Sequence, residues 1–413
     1  MRWLVAVVLG LAPWAAGPRA AAEEPLGTAA SRRIVVFNEA VSPAARLAIA
    51  SQSGGSVVRE LRLINAVVVR APKALLQSVE SKLKARSEVL RIDDDPRVNW
   101  LGALPSSVAE VPWPAMDDFL KGGMKPFRSP KAADPAPSAG QDTPWGIARV
   151  NAPAAWAVTK GKGVKVAVVD TGIDFDHPDL KANIAGGWSA VDTENPQNYK
   201  DDNGHGTHVA GTIAALDDAA GVVGVAPETT LYAVKVLDKN GSGNFSDVIA
   251  GMEWTVTNKM VVVNMSLGAS KGNEALQAAV EAMAKAGVTL VAAAGNNGGA
   301  VGYPASYPQA IAISASGPED KVAYFSSRGP QIAFIGPGVS IQSTSMGGGY
   351  RALSGTSMSC PHVAGLAALA VAARGVNDPD GLRAVLRAAA TPIPGVPVEE
   401  QGAGVIDAAK VVR

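Results

Sequence analysis

Three side chains in this sequence have the types and the order needed for acyl transfer by a serine hydroxyl. Asp170 ends an apolar run and precedes Thr-Gly, His205 lies in Asn-Gly-His-Gly-Thr-His, and Ser357 lies in Gly-Thr-Ser-Met-Ser-Cys-Pro-His. A serine hydroxyl is a weak nucleophile at neutral pH, so it needs an imidazole to take its proton and a carboxylate to orient that imidazole. The three residues therefore predict a nucleophile, a general base and an orienting acid.

The flanking patterns predict the elements that position these groups. The β-branched run 163–169 predicts a buried strand that ends at Asp170, and 288–294 predicts another strand followed by Gly-Asn-Asn-Gly. Apolar and small residues recur at helical spacing in 205–216 and 357–373, so we expect the histidine and the serine at helix N-termini. Free N–H groups and the helix dipole there favour developing negative charge.

Structural roles are the alternative for each residue, because an aspartate after a strand is often a turn former and a serine before a helix is often an N-cap. The chain has only four histidines. We expect His208 and His362 to be structural side chains on their helices, and His177 to be a turn residue. His205 and His208 do not form a zinc-protease pair, because that pattern has two histidines four residues apart with a glutamate between them. Cys360 is the only cysteine, so it forms no intrachain disulfide, and we expect a small buried apolar side chain.

In order and spacing, the three motifs resemble those of the subtilisin-like serine proteases, the subtilase family, from about Gln141 to the C-terminus. The resemblance implies an α/β fold of three layers with a central, mostly parallel sheet. It also implies endopeptidase activity, with Asn296 and the Ser357 N–H forming the oxyanion hole. A subtilase that binds peptides without cleaving them is disfavoured, because all four positions are intact. A lipase or esterase is disfavoured because the serine is not in Gly-x-Ser-x-Gly and the acid precedes the histidine.

The same resemblance assigns a peptide-binding cleft. Its substrate-binding residues are Gly241, Ser242, Gly243, Phe245, Ser266, Leu267, Gly268, Ala294 and Gly302. Gly302, at the floor of the S1 pocket, leaves room for a large apolar P1 residue. These segments contain no acidic cluster, so strict cleavage after Lys or Arg is disfavoured. A glycine turn beside a core aromatic is the alternative for residues 241–245.

A structural calcium site is also implied by the resemblance. Its ligands would be Gln141, Asp179, Leu216, Asp218, Ala220 and Val222. Carboxylate, amide and carbonyl oxygens are the hard ligands that calcium prefers. The alternative for the Asp-Asp-Ala-Ala-Gly turn in this loop is a solvated helix end.

Composition changes along the chain predict four segments. Residues 1–22 have the layout of a cleavable signal peptide, with an early arginine, an apolar stretch and Ala-Ala-Ala before two glutamates. Residues 23–100 form a separate domain, 101–140 a Pro/Gly-rich linker, and 141–413 the catalytic domain. Export follows from the signal peptide, so we expect a secreted protein, extracellular or periplasmic.

The N-terminal domain is expected to be ferredoxin-like, because its predicted elements follow a βαββαβ order. The predicted strands are 33–37, 56–61, 65–70 and 89–93, and the predicted helices are 42–50 and 72–86. The second helix places four residues on one apolar face, namely Leu75, Leu76, Val79 and Leu83. The domain resembles the inhibitory propeptide of subtilases, which implies that it acts as chaperone and inhibitor and that self-cleavage occurs near Leu101.

Composition limits the other partners. The chain has 413 residues, 47% of them apolar, and a formal net charge of zero without a basic stripe, which disfavours nucleic acid. The glycine-rich segments lack the form of a nucleotide site. The longest apolar run after the signal peptide, 364–373, is too short to span a membrane. We expect a monomer that binds protein and peptide substrates and its own propeptide.

Overall fold

The computed structural model describes residues 30–101 and 140–413. The predicted signal peptide and most of the linker therefore lie outside the described residues. The first range forms the N-terminal domain. Its elements are β1 Ala30–Phe37, α1 Pro43–Gln52, β2 Ser56–Leu61, a 3-10 turn Arg62–Ile64, β3 Ala66–Pro72, α2 Lys73–Lys84, β4 Val89–Asp94 and β5 Arg97–Asn99. These elements follow the predicted βαββαβ order, with β5 added as a tail.

The first four strands form an antiparallel sheet in the order β2-β3-β1-β4, and its side chains alternate between two faces. On one face Val35, Phe37, Val67 and Val69 pack on α1 and α2. On the other face Ile34, Val36, Leu61 and Val68 belong to a core shared with the rest of the protein. Within α2, Val79 and Leu83 are buried as predicted, but Leu75 is 52% exposed, so the predicted apolar face is too wide.

The second range contains a seven-stranded sheet that is parallel throughout, in the order β13-β12-β11-β10-β6-β8-β7. Its strands are β6 Lys165–Asp170, β7 Ile184–Ser189, β8 Thr230–Lys235, β10 Val262–Met265, β11 Thr289–Ala293, β12 Ile311–Ser316 and β13 Ile332–Pro337. Outside this sheet lie the strands β9 Ser242–Asn244, β14 Ile341–Ser345, β15 Gly349–Leu353, β16 Ala390–Thr391 and β17 Val405–Ile406. The expected mostly parallel α/β fold is confirmed.

Helices cover both faces of this sheet. The helices of the second range are α3 Trp145–Arg149, α4 Ala152–Ala155, α5 His205–Ala214, α6 Phe245–Thr257, α7 Glu274–Lys285, α8 Thr356–Arg374, α9 Pro379–Ala389, α10 Val398–Gln401 and α11 Ala408–Val411. Strand β6 shows the division: Val166 and Val168 pack with α5 and α8, whereas Ala167 and Val169 pack with α6 and α7. Buried on both sides, such a strand is a continuous apolar run.

Helix α8 crosses the middle of the core. Among the described residues it alone is long and apolar enough to cross a membrane, but 83% of that stretch is buried inside the protein. Its Gly365 touches Val225, where an added Cβ would come within 2.6 Å of that side chain. A mostly buried helix of this kind is the core helix of a globular domain.

Candidate active site

Asp170 and His205 meet at the carboxyl edge of the central sheet. Asp170 is the last residue of β6, and His205 is the first residue of α5. The imidazole Nδ1 lies 2.8 Å and 3.0 Å from the two carboxylate oxygens of a side chain that is fully buried. Gly206 makes this approach possible, because a Cβ there would lie 2.1 Å from the carbonyl oxygen of Gly172. A carboxylate on Nδ1 orients the ring and leaves Nε2 to accept a proton.

Asp201 supports the histidine loop, a role that the sequence analysis missed. Its carboxylate accepts hydrogen bonds from Asn203 N, Gly204 N, Thr207 N, Thr207 Oγ1 and Thr171 Oγ1. Burial alone would raise the pKa of Asp201, but these hydrogen bonds outweigh it and lower the pKa. The signal for this role is the spacing: an aspartate two to three residues before the N–H groups of a glycine turn at a helix start is typical of an Asx turn.

Lys235 links the segment after Asp170 to the same loop. It is buried on β8 directly opposite Asp170 in the parallel ladder. Its Nζ donates to the carbonyl oxygen of Thr171 at 2.6 Å, to Asp202 Oδ1 at 2.6 Å and to the carbonyl oxygen of Leu237 at 3.0 Å. An ammonium group has three donors, and all three are used here. Lys235 therefore holds three chain segments together behind the Asp170–His205 pair.

Ser357 is the second residue of α8 and is nearly buried. Its hydroxyl donates to the carbonyl oxygen of Ser266 at 3.0 Å, and the Ser266 hydroxyl donates back to the carbonyl oxygen of Ser357 at 2.8 Å. Within residues 30–101 and 140–413, no hydrogen bond joins the Ser357 hydroxyl to His205. Catalytic hydrogen bonds are often long or misaligned without substrate, so this arrangement does not remove the predicted role.

Asn296 lies three residues after the end of β11 and beside the N-terminus of α8. Its Oδ1 accepts hydrogen bonds from Thr356 N at 2.8 Å and from Thr356 Oγ1 at 2.9 Å. Both donors fix the amide orientation, so its Nδ2 group is left as a hydrogen-bond donor. Thr356 was missed in the sequence analysis, where it was only part of the serine motif.

An open cavity of about 740 Å³ adjoins Ser357 and Asn296. Its other lining residues include Leu267, Gly268, Ala293 and Gly302. Ala294, which the sequence analysis assigned to this wall, is fully buried, and its carbonyl oxygen instead accepts a hydrogen bond from Gly302 N at 2.8 Å. The acidic side chain in the lining, Asp94, comes from the N-terminal domain. Lys271 is the other charged residue of the lining, whereas Ala293 and Gly302 are small and uncharged.

The tail of the N-terminal domain lies along this cavity as an added strand. Strand β5 pairs antiparallel with β9, with Val98 opposite Gly243. Trp100 N donates to the carbonyl oxygen of Gly241 at 2.9 Å, and Gly268 N donates to the carbonyl oxygen of Trp100 at 2.7 Å. The tail is thus bound through its main chain on both sides, the mode called β-augmentation. Ser242 lies within β9, as expected for the edge strand.

Trp100 is the deeply buried side chain of this tail. Its ring centroid lies 4.7 Å from that of Phe245, and its indole nitrogen donates to the carbonyl oxygen of Gly243 at 3.0 Å. Leu101, near which the sequence analysis placed self-cleavage, lines the cavity and packs near Gly241. Phe245 is therefore the partner of an aromatic side chain from another domain, and the sequence analysis did not single out Trp100.

The proposed calcium ligands also come together. The side-chain nitrogen Nε2 of Gln141 donates to the carbonyl oxygen of Leu216 at 2.6 Å and to that of Ala220 at 3.5 Å. The two carboxylate oxygens of Asp179 accept hydrogen bonds from Leu216 N and Val222 N, both at 3.0 Å. Burial raises the pKa of Asp179 to about 7. This loop gathers carboxylate and carbonyl oxygens, the hard ligands that calcium prefers, and these residues together with Asp218 would hold such an ion.

The other histidines and the cysteine are structural, as the sequence analysis expected. His208 Nε2 lies 2.9 Å from the carbonyl oxygen of Ile341, and burial lowers its pKa to about 3. Burial lowers the pKa of His362 to about 4. His177 lies in a turn, with Nε2 2.9 Å from the carbonyl oxygen of Gly349. Cys360 is fully buried, and burial raises the pKa of its thiol, which leaves it unreactive.

Comparison with known proteins adds the family. Residues 161–404 match the Subtilase family of peptidases. The chain belongs to the subtilase family. It is 52% identical over 236 residues to Subtilisin from Bacillus pumilus, a match that covers 55% of this chain and 84% of that protein. The same identity over 236 residues relates it to Subtilisin E from Bacillus subtilis (strain 168), covering 55% of this chain and 61% of that relative.

Thermostable alkaline protease from Halalkalibacterium halodurans is 51% identical over 231 residues, covering 55% of this subtilase and 63% of that relative. The chain thus spans less than two thirds of the length of several relatives that it matches, although it covers most of the Bacillus pumilus protein. The matched part carries Asp170, His205, Asn296 and Ser357. This subtilase is a subtilisin-like serine endopeptidase, a hydrolase.

Proposed function

We propose that this subtilase is a secreted endopeptidase that hydrolyses peptide bonds through an acyl-enzyme on Ser357. The observation that carries the proposal is the contact of the buried Asp170 carboxylate with His205 Nδ1 at 2.8 Å, where the helix α5 that begins at His205 packs against the helix α8 that carries Ser357. A buried carboxylate that holds an imidazole next to a serine is the arrangement that activates the hydroxyl.

The mechanism begins when the Ser357 hydroxyl leaves the Ser266 carbonyl and donates to His205 Nε2. The Ser357 Oγ then attacks the scissile carbonyl carbon while its proton passes to Nε2, and Asp170 stabilises the imidazolium. The Ser357 N–H and Asn296 Nδ2 donate to the oxyanion. The C–N bond breaks as Nε2 returns the proton to the leaving amine, and water repeats the path on the acyl-enzyme.

The cleft supports broad specificity with a preference for large apolar P1 residues. Main-chain pairing with β9 and with Gly268 binds an extended peptide whatever its side chains. Asp94 and Lys271 are the charged residues of the cavity lining, whereas the wall at Ala293 and Gly302 is small and uncharged. A charged P1 side chain there would lose its hydration without gaining a partner, whereas an apolar one is favoured by burial.

Labelling by peptidyl aryl phosphonates tests both the nucleophile and the pocket. We expect phosphonates with Phe or Leu at P1 to modify Ser357, and to do so about tenfold faster or more than those with Lys or Asp. The measurements are the second-order inactivation rate and mass spectrometry of the modified peptide. Modification at another residue would refute the nucleophile, and faster reaction with Lys at P1 would refute the pocket.

The N-terminal domain is proposed to be the inhibitor of a zymogen. Residues 1–22 would be removed on export, and 23–100 would act as chaperone and inhibitor, followed by the linker 101–140 and the catalytic domain 141–413. The tail around Trp100, paired with both sides of the cleft, supports this assignment. The first self-cleavage would fall near Leu101, and the protein would act as a monomer.

Calcium is proposed as a structural ion in the loop around Asp179 and Asp218. An ion bound only by the folded chain stabilises it by about 4 kcal/mol at a thousandfold excess over Kd. We therefore expect chelation to lower the midpoint of thermal unfolding by on the order of 10 °C. The Ser357→Ala chain, which cannot digest itself, should be used for this measurement.

The variant Asp179→Asn should abolish the difference between calcium and chelator. Asp380→Asn, at an exposed carboxylate on α9, should retain it. Equal midpoints of the parent chain with calcium and with chelator would exclude the site.

A further inference from the structure

Four charged side chains meet where the N-terminal domain packs on α6. Arg32 comes from β1 and Arg59 from β2, whereas Asp247 comes from the first turn of α6. Asp95 lies between β4 and β5 and is almost completely buried. An apolar core surrounds the group, because one face of the N-terminal sheet packs on α6 and α7 here. Charges in such a place are costly unless they are paired.

Arg59 and Asp247 form a mostly buried ion pair across the interface, whereas the pairs Arg97–Asp238 and Arg91–Glu274, which also cross it, are more exposed. Arg59 Nη2 lies 3.0 Å from Asp247 Oδ1 and also donates to the carbonyl oxygen of Ala190 at 2.8 Å. The two side chains are only 12% and 7% exposed. Burial lowers the pKa of the Arg59 guanidinium, and the charge of Asp247 opposes that shift.

Arg32 extends the contact to the start of α6. It donates to Asn244 Oδ1 at 3.0 Å and to Ser246 Oγ at 2.7 Å, and its Nη2 lies 3.8 Å from Asp247 Oδ1. Its Nε pairs with Asp95 Oδ2 at 2.8 Å within its own domain. Asp95 in turn accepts hydrogen bonds from Ser246 N and Ser246 Oγ, both at 2.8 Å.

Departure of the N-terminal domain would remove both arginines from Asp247. The carboxylate would then keep the hydrogen bond that its Oδ2 accepts from Asn244 N at 2.8 Å, which caps α6. Water would solvate it once the domain has gone. Neutralising Arg59 therefore penalises the bound state, where Asp247 is buried without its nearest partner, much more than the free catalytic domain.

We propose that Asp247 and the arginine pair Arg32 and Arg59 form the recognition contact that selects this chain's own N-terminal domain and determines how long it stays bound after the cut. The partner that fits this surface is a small domain that presents two arginines beside an apolar sheet face. This inference rests on the proposed function, in which the cut domain is retained as an inhibitor.

The test uses the full chain carrying Ser357→Ala, so that no activity is needed. Trypsin can nick the linker, where the sequence has Lys121, Arg128 and Lys131, none of them followed by proline. The rate at which the N-terminal domain leaves the nicked protein is then measured on a surface that holds the catalytic domain. We expect Arg59→Gln and Asp247→Asn each to increase this rate about 30-fold or more.

In the double variant the N-terminal domain should leave at about the rate of the faster single variant, because the two residues act as one pair. Arg86→Gln is the matched control, since Arg86 pairs with Glu88 on the exposed surface of the same domain and should keep the parent rate. Arg59→Lys retains the positive charge, so its rate of domain release should lie between those of the parent and of Arg59→Gln. Thermal unfolding of each uncut chain checks that both domains are folded.

The proposed contact would be overturned if Arg59→Gln released the N-terminal domain at the parent rate, or if the two single effects on that rate were fully additive in the double variant. Neither result would affect the proposal that the domain is an inhibitor. Immediate loss of the domain from the nicked parent would overturn the retained inhibitor itself, and the recognition contact with it.

Discussion

Replacing Ser357 with alanine is expected to reduce kcat by about 10⁶-fold, the size of loss measured for the equivalent change in subtilisin itself. The reason is that the variant keeps the cleft and the Asp170–His205 pair but has no oxygen to form the acyl-enzyme. In a protease-deficient host the same variant should accumulate as an uncut chain of residues 23–413. The measurements are peptide hydrolysis and N-terminal sequencing of the secreted product.

Ser359→Ala is the matched control for this change. Ser359 lies two residues further along α8, and its hydroxyl donates to the carbonyl oxygen of Gly336 at 3.0 Å. Loss of that hydrogen bond should cost about 1 kcal/mol of stability and leave kcat and processing intact. Normal maturation of the Ser357→Ala chain would show that cleavage near Leu101 is done by another protease.

Replacing Asn296 with leucine is expected to reduce kcat by about 10²- to 10³-fold with little change in KM, a range taken from the equivalent change in subtilisin. The Nδ2 group would donate to the oxyanion, which exists only in the transition state and the intermediate. Removing such an interaction lowers kcat and kcat/KM equally. Steady-state kinetics on one apolar-P1 peptide gives both values.

Two further variants separate the lost donor from damage to the loop. Asn296→Asp keeps an oxygen that can accept the hydrogen bonds from Thr356, but it cannot donate, so it should be about as slow as the leucine variant. Asn297→Ala changes the neighbouring exposed asparagine, whose Oδ1 accepts from Ser327 Oγ and Gly299 N. It should keep kcat within about threefold of the parent, and full activity in Asn296→Asp would refute the oxyanion role.

Local patterns were sufficient to predict most elements of the fold. The apolar runs that end at Asp170 and before Gly295 are β6 and β11, because strands buried on both faces consist almost entirely of apolar residues. Helices α5 and α8 begin at or beside His205 and Ser357, where small residues allow close approach to the sheet. The order of strands and helices in the N-terminal domain was predictable for the same reason, since alternation and helical periodicity are local.

The sequence by itself also determined which chemistry we propose for the site, because the residues proposed as nucleophile, base, acid and oxyanion donor lie in four recognisable motifs. Tertiary structure alone decided how these groups are supported. Asp201, Lys235 and Thr356 act through partners on other elements, and nothing in their own segments names those partners. The Ser357 hydroxyl bonds to Ser266, which is 91 positions away in the chain.

The interface between the domains was equally beyond local patterns. Trp100 packs on Phe245, and Arg59 pairs with Asp247, because the N-terminal sheet packs on α6 with one particular face and register. Alternation in a strand predicts which residues share a face, but not which surface that face meets. Contacts between residues far apart in sequence depend on how whole elements pack, and that information becomes available only when the chain is folded.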